Sequence, residues 1–280
     1  MTNLLRPLST GELLDRTFSL YRRNFVVFFV IAAVPQLLVV GGQLGFSFAF
    51  GRTMTSAVIR PAGGFLMLAL LLIGSIVLLL VSAAAYGAIT SAVGAIYMGQ
   101  PTTIGGAYGA MKGKIARTAG VWFVTSLLVG LGLLLFIVPG LLLALRWALV
   151  LPCTVLEETG VAESRTRSTT LTEGCRGRIF LIVLLYLVIL YVLSTLGVVP
   201  LMVGIAIEAA RTHSQELPVW YVPAVSVVNF FVASLVSPIL MIALTLQYFD
   251  GRIRKEALDL QLMMSAAAGG GAAPAAAPTA

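Results

Sequence analysis

The chain has 280 residues, of which 59% are hydrophobic and only 10% charged, with a formal net charge of +7. A soluble domain is about a quarter charged, so the composition excludes an ordinary globular protein and indicates a polytopic membrane protein. The basic excess would also suit a nucleic-acid binder, but where the charges fall argues otherwise.

The first predicted element lies in LSTGELLDRTFSLYRRNFVVFF, from Leu8 to Phe29. Ser9 and Glu12 have the spacing of a capping box. Leu14, Phe18, Tyr21 and Phe25 then share one helical face, with Glu12, Asp15, Arg16, Ser19, Arg22 and Arg23 on the other side. This pattern predicts an amphipathic helix, either lying in the membrane interface or packed on the protein's own underside. No short apolar core follows Met1 directly and no small-residue cleavage site follows one, so no signal peptide is expected.

A span needs about 20 apolar residues, and six segments qualify: about 25–46, 65–88, 121–138, 141–156, 179–199 and 220–248. The second has no strong break before Met98. Only Pro139-Gly140 separates the third from the fourth, which predicts a tight hairpin at that dipeptide. Pro238 lies inside the sixth and predicts a kink. Beyond it, Phe249, Ile253, Ala257, Leu260 and Met264 form one stripe, predicting a second basic amphipathic helix at the membrane surface. The Ala/Gly/Pro tail 265–280 reads as disordered.

With the amino terminus inside, the cytoplasmic segments hold Arg6, Arg16, Arg22, Arg23, Lys112, Lys114, Arg117, Arg165, Arg167, Arg176, Arg178, Arg252, Arg254 and Lys255. Only Arg52, Arg60 and Arg211 fall outside, and Arg146 falls within the fourth span. The positive-inside rule therefore places both termini in the cytoplasm. The net charge is explained by topology and by attraction to anionic headgroups, with Arg22, Arg23, Arg252, Arg254 and Lys255 as the interfacial contacts. Nucleic acid is not needed as a partner.

Spacing suggests a repeat. Arg117 to Pro139 and Arg178 to Pro200 are both 22 residues, and Gly45 stands 22 residues beyond Arg23. Three parallel units, each a cytoplasmic helix followed by a membrane hairpin, account for this, and chance coincidence is the competing account. The expected fold is thus an all-α, six-helix transmembrane bundle with interfacial helices, one domain over residues 1–264.

Polar residues line single faces of three spans: Gln36, Gln43 and Ser47; Ser75, Ser82 and Tyr86; and Ser226 and Ser237 with Asn229 close by. Such faces turn away from lipid. They suit either interhelical hydrogen bonding, with Ala83, Gly87 and Ser91 as a packing seam, or a polar path. Arg146 is the one intramembrane cation and a ligand-site candidate by that fact; snorkelling or a pair with Glu208 are its structural alternatives. Gln36, Gln43, Ser82, Tyr86, Asn229 and Arg146 are therefore the candidate ligand or lipid contacts.

Catalytic patterns are missing. The single histidine, His213, falls in an outer loop, and no HExxH, CxxC, P-loop or GxSxG pattern occurs. Glu157-Glu158 reads as a helix terminus rather than a catalytic dyad. Cys153 and Cys175 show no metal-ligand spacing and read as small fillers. No cofactor or metal is expected.

Four stretches, RPLSTGELLDRTFSLYRRNF, LPCTVLEETG, RSTTLTEG and YFDGRIRKEALDLQL, together resemble the bacterial membrane domain of glycerophosphoryl diester phosphodiesterases and its stand-alone relatives. The likeness extends to about Met264. It implies a multi-helix membrane domain without an assigned activity of its own. Its landmarks here are Gly11, Glu12, Leu14, Asp15, Pro152, Glu157, Arg167, Ser168, Gly174, Tyr248, Asp250, Arg252, Arg254 and Glu256. The His-Arg-Gly entrance of the phosphodiesterase domain is absent, so glycerophosphodiester hydrolysis is not implied. Two functions fit: a non-enzymatic module that contacts lipid as a scaffold or as the subunit of a protein partner, or a transporter for a small or anionic amphipathic substrate. The low Lys-to-Arg ratio and Ala-rich tail suit a bacterial plasma membrane.

Overall fold

The computed structural model describes residues 8–50, 61–212, 218 and 220–256. Among these the chain forms ten α-helices and no strand. In order they are α1 (Thr10–Arg23), α2 (Phe25–Phe50), α3 (Pro61–Tyr97), α4 (Ile104–Gly109), α5 (Ile115–Leu135), α6 (Ile137–Arg146), α7 (Val150–Leu156), α8 (Val161–Thr172), α9 (Arg176–Thr212) and α10 (Tyr221–Glu256). Six segments are long and apolar enough to cross a membrane, α6 and α7 together making the fourth. Large apolar side chains stand outward along them: Leu134 is 83% exposed and Ile137 75%. Surface of that kind is stable only against lipid.

The core gathers around α3 and α10. In α3 the small residues Ala83, Ala85, Ala88 and Ala92 are all buried, which lets neighbouring helices approach closely. On α10 the nine consecutive residues 242–250 are buried, so helices surround its last turns. The small seam seats α4: Met111 lies where a Cβ on Gly87 would project, and the Ser91 hydroxyl is 3.3 Å from the Ala107 carbonyl oxygen.

Helix α1 starts with the predicted capping box, Ser9 Oγ accepting from Glu12 N–H and Glu12 Oε2 from Ser9 N–H. Its buried face differs from the expected stripe. Leu13 and Thr17 are the fully covered residues, whereas Phe18 and Phe25 are each 40% exposed. Packing against α10 selects a face rotated by one residue. Thr17 can take it because its hydroxyl is satisfied by the Leu13 carbonyl.

Pro35 and Pro238, each inside a span, free carbonyls, and tyrosines from the short helices α4 and α1 meet carbonyls beside them. Pro35 has no N–H for the Ile31 carbonyl four residues earlier, and Tyr108 of α4 donates to that oxygen at 3.0 Å. Tyr21 of α1 donates at 2.9 Å to the carbonyl of Leu235, three residues before Pro238. Burial raises both phenols to a pKa of about 12, so they remain donors.

The third hairpin arm turns earlier than the sequence suggests. The break is at Phe136, which is extended (φ −152°, ψ 128°), and Pro139-Gly140 sits inside the first turn of α6. Proline is tolerated there because first-turn N–H groups have no intrahelical acceptor. Gly140 is required by contact: a Cβ would lie 2.3 Å from the Leu133 nitrogen and 2.5 Å from its Cα.

At the carboxyl end, α10 runs without interruption to Glu256. Phe249 and Ile253, expected on a surface stripe, are 3% and 7% exposed and belong to the core. Ala257, Leu260, Met264 and the tail 265–280 lie outside the described residues, as do His213 and, in its side chain, Ser47.

Candidate functional site: an ion-paired layer at one end of the bundle

The ends of α7 and α10, the whole of α8 and the starts of α1 and α9 meet in a layer of charged side chains. The local sequence makes α8 suited to it. Its serines and threonines close the gap between α6 and α7: Ser168 Oγ and Thr172 Oγ1 both donate to the Arg146 carbonyl, at 2.9 and 3.1 Å. Leu149 N–H in turn donates to Ser168 Oγ. Further along, the buried hydroxyls of Thr154, Ser164 and Thr159 form a chain with 2.9 and 2.7 Å spacings. A helix end buried without such partners would be costly, and at the end of α6 Ser168 and Thr172 of RSTTLTEG supply them.

Two clusters make up the layer. In the first, Glu157 Oε1 accepts from Tyr248 Oη at 2.7 Å and Oε2 from Arg167 Nε at 2.8 Å. Arg167 also pairs with Glu256 Oε1, and Glu256 Oε2 accepts from Arg252 Nε at 3.0 Å. Arg252 returns to Tyr248 Oη at 3.2 Å, closing the ring of five side chains. Hydrogen bonds to Glu157 and then Glu256 push the Arg167 pKa further up, so it stays charged throughout the accessible pH range.

The second cluster surrounds Asp250, whose side chain is fully buried. Its Oδ1 accepts from Leu8 N–H at 2.7 Å, and its Oδ2 from Arg178 Nη1 at 2.7 Å and Arg254 Nε at 2.8 Å. Arg254 Nη2 also donates to the Leu8 carbonyl, and Lys255 Nζ to the carbonyls of Thr170 and Glu173. The last turns of α10 are thereby tied to the amino-terminal segment, to α8 and to α9.

Glu157 and Glu158 are separated by the backbone. Glu158 has φ +57°, a conformation uncommon outside glycine, and its side chain is 57% exposed against 17% for Glu157. Glu158 pairs outward with Lys114 at 2.5 Å and with Arg117 at 3.7 Å. The hydrogen bond from Lys114 is the main cause that holds its pKa below the ordinary carboxylate value.

The residues singled out along the spans do not converge. Gln43 Oε1 accepts from Ser226 Oγ at 2.9 Å, linking α2 to α10. Tyr86 packs edge-on against Trp122 with ring centroids 5.4 Å apart. Ser82 is buried, Gln36 half-buried and Asn229 exposed. The Arg146 side chain is exposed at the α6 terminus, and Glu208 takes its hydrogen bond from Trp220 Nε1 instead. Of the interfacial cations, Arg252, Arg254 and Lys255 belong to the ion-paired layer, while Arg22 and Arg23 are exposed in the last turn of α1. Among the described residues no three His, Cys, Asp or Glu side chains gather as a metal site. Burial raises the Cys175 thiol above its usual pKa, the opposite of an activated nucleophile.

Sequence reasoning on spans and stripes missed this layer, because its members come from segments far apart in the chain. The available signal was the set of motif landmarks: Glu157, Arg167, Ser168, Tyr248, Asp250, Arg252, Arg254 and Glu256 all lie in it. Comparison with known proteins agrees on that region. No curated protein and no solved structure matches the chain. A family model described as the membrane domain of glycerophosphoryl diester phosphodiesterase matches residues 120–260, leaving the amino-terminal landmarks outside the match. That stretch is just over half of the chain and holds both carboxylate clusters, and the chain belongs to this family of multi-pass membrane domains.

Proposed function

We propose that the chain is a non-enzymatic membrane module, a scaffold or partner subunit seated among anionic lipids, with both termini on the cytoplasmic side of a bacterial plasma membrane. The observation that carries this reading is the occupancy of the carboxylates. All six carboxylate oxygens of Glu157, Asp250 and Glu256 are held by donors from the amino-terminal segment, α8, α9 and α10. A general base must point at a substrate proton; here each of these oxygens is already turned toward a donor, most of them from another helix. The Ser226–Gln43 bond and the Tyr86–Trp122 contact support packing of the polar faces over a solute path.

Reconstitution in liposomes with and without phosphatidylglycerol tests the proposal. The expected result is a higher melting temperature with the anionic lipid, no turnover of glycerophosphodiesters and no protein-dependent release of trapped glycerol phosphate. Saturable release that Gln43→Ala abolishes would establish transport instead.

A further inference from the structure

A cavity of about 440 Å³ opens between α1, the end of α3 and α10. Arg16, Ser19 and Arg23 line it on one side, and Tyr97 and Leu246 on the other. Its arginines differ from those of the layer: Arg178, Arg254, Arg167 and Arg252 each hold a carboxylate. Neither Arg16 nor Arg23 does so among the described residues, although Asp15 lines the same cavity. Arg16 Nη1 is shielded from solvent and has no hydrogen-bond partner. A buried guanidinium N–H left unpaired is costly, and such groups call for a missing acceptor. The cavity therefore has two unpaired cations against one carboxylate, a hydroxyl donor at Ser19 and apolar walls.

We infer that this cavity binds a phosphate group, with Arg16 and Arg23 as its charged donors. Guanidinium groups match phosphate oxygens geometrically and form charge-assisted bonds with them. The site's position favours a headgroup as the source. Arg23 ends α1, and two residues later α2 begins its apolar run with Phe25 and Val26 exposed by 40% and 65%. A phosphate held there would have its acyl chains against α2. This inference deepens the lipid-contact reading above and rests on it.

The test is native mass spectrometry of the detergent-purified full chain, titrated separately with phosphatidylglycerol, phosphatidylcholine and inorganic phosphate. The wild type is expected to retain one phosphatidylglycerol at concentrations where phosphatidylcholine, whose choline cancels the charge, is lost. Arg16→Gln and Arg23→Gln are each expected to weaken that retention about tenfold, the size of one lost charge-assisted hydrogen bond. Lys112→Gln, an exposed cation that does not line the cavity, is expected to leave it unchanged. Inorganic phosphate binding with the same dependence on Arg16 would support the phosphate site and identify the free anion as its source. Equal weakening by all three substitutions, with melting temperatures preserved, would overturn the site while leaving general attraction to anionic lipid intact. Loss of lipid selectivity in the wild type itself would overturn both. Arg16→Lys guards against misfolding: it keeps the charge, and retention between that of wild type and Arg16→Gln is expected.

Discussion

Asp250 gives the sharpest test of how the bundle is held together. In Asp250→Asn the remaining oxygen can still accept from Leu8 N–H, but an amide N–H₂ then faces the two guanidinium groups that shared Oδ2. The Arg254 side chain is 44% exposed and water takes over its pairing, so that arm contributes at most several tenths of a kcal/mol. The Arg178 side chain is 11% exposed and its partner fully buried. Breaking a pair of that kind costs about 3 kcal/mol, because the surviving charge stays desolvated. Equilibrium unfolding in mixed micelles should therefore show Asp250→Asn destabilised by about 3 kcal/mol, most of it from Arg178. Replacing both partners removes the stranded charge, so Asp250→Asn with Arg178→Met should recover roughly 2 kcal/mol relative to the sum of the single substitutions. A single substitution costing under about 0.5 kcal/mol, or a cycle with no coupling, would refute the claim that this buried pair secures the end of α10.

Removing the Tyr108 hydroxyl with Tyr108→Phe should cost about 1–2 kcal/mol in the same assay, because the Ile31 carbonyl loses its donor beside Pro35. Gly140→Ala should be far more damaging than Gly87→Ala. The first new methyl meets the Leu133 backbone and forces α5 from α6, at about 3 kcal/mol, while the second meets the flexible end of Met111. Acidification should loosen the tie between Lys114 and Glu158. The folded carboxyl has a pKa below its ordinary value, so the contribution is complete above the ordinary carboxylate range and is lost as pH falls through the folded pKa. Proteolytic cleavage around residues 110–117 should rise in that acid range in the wild type, and Glu158→Gln should cleave at the same rate across it.

Much of the fold was legible in the residues themselves. Span number follows from run lengths, because a bilayer admits only helices of about 20 apolar residues or more. The capping box at Ser9 and Glu12 is likewise a matter of spacing, since both partners lie within one turn. Where the sequence misled, the competing effect was packing. The Pro139-Gly140 dipeptide carries every local mark of a turn, yet the chain turns at Phe136 and uses the glycine for contact between α5 and α6. The stripe of Phe249 and Ile253 is apolar because it faces other helices rather than lipid, two environments that select the same side chains.

The candidate site shows the same division. Sequence alone determined that charged residues gather in the segments between spans, since an isolated charge in the hydrocarbon core is expensive. Which cation meets which carboxylate was decided only by tertiary structure. Leu8 and Asp250 are 242 residues apart, and Tyr248 and Glu157 are 91 apart. No local periodicity encodes such pairs, because they depend on how helices from both ends of the chain are arranged side by side. The distinction between paired arginines such as Arg178 and the unpaired Arg16 is of that kind. Both are a basic residue near the mouth of a span in sequence, and only the packed helices give one an acidic partner and leave the other facing a cavity.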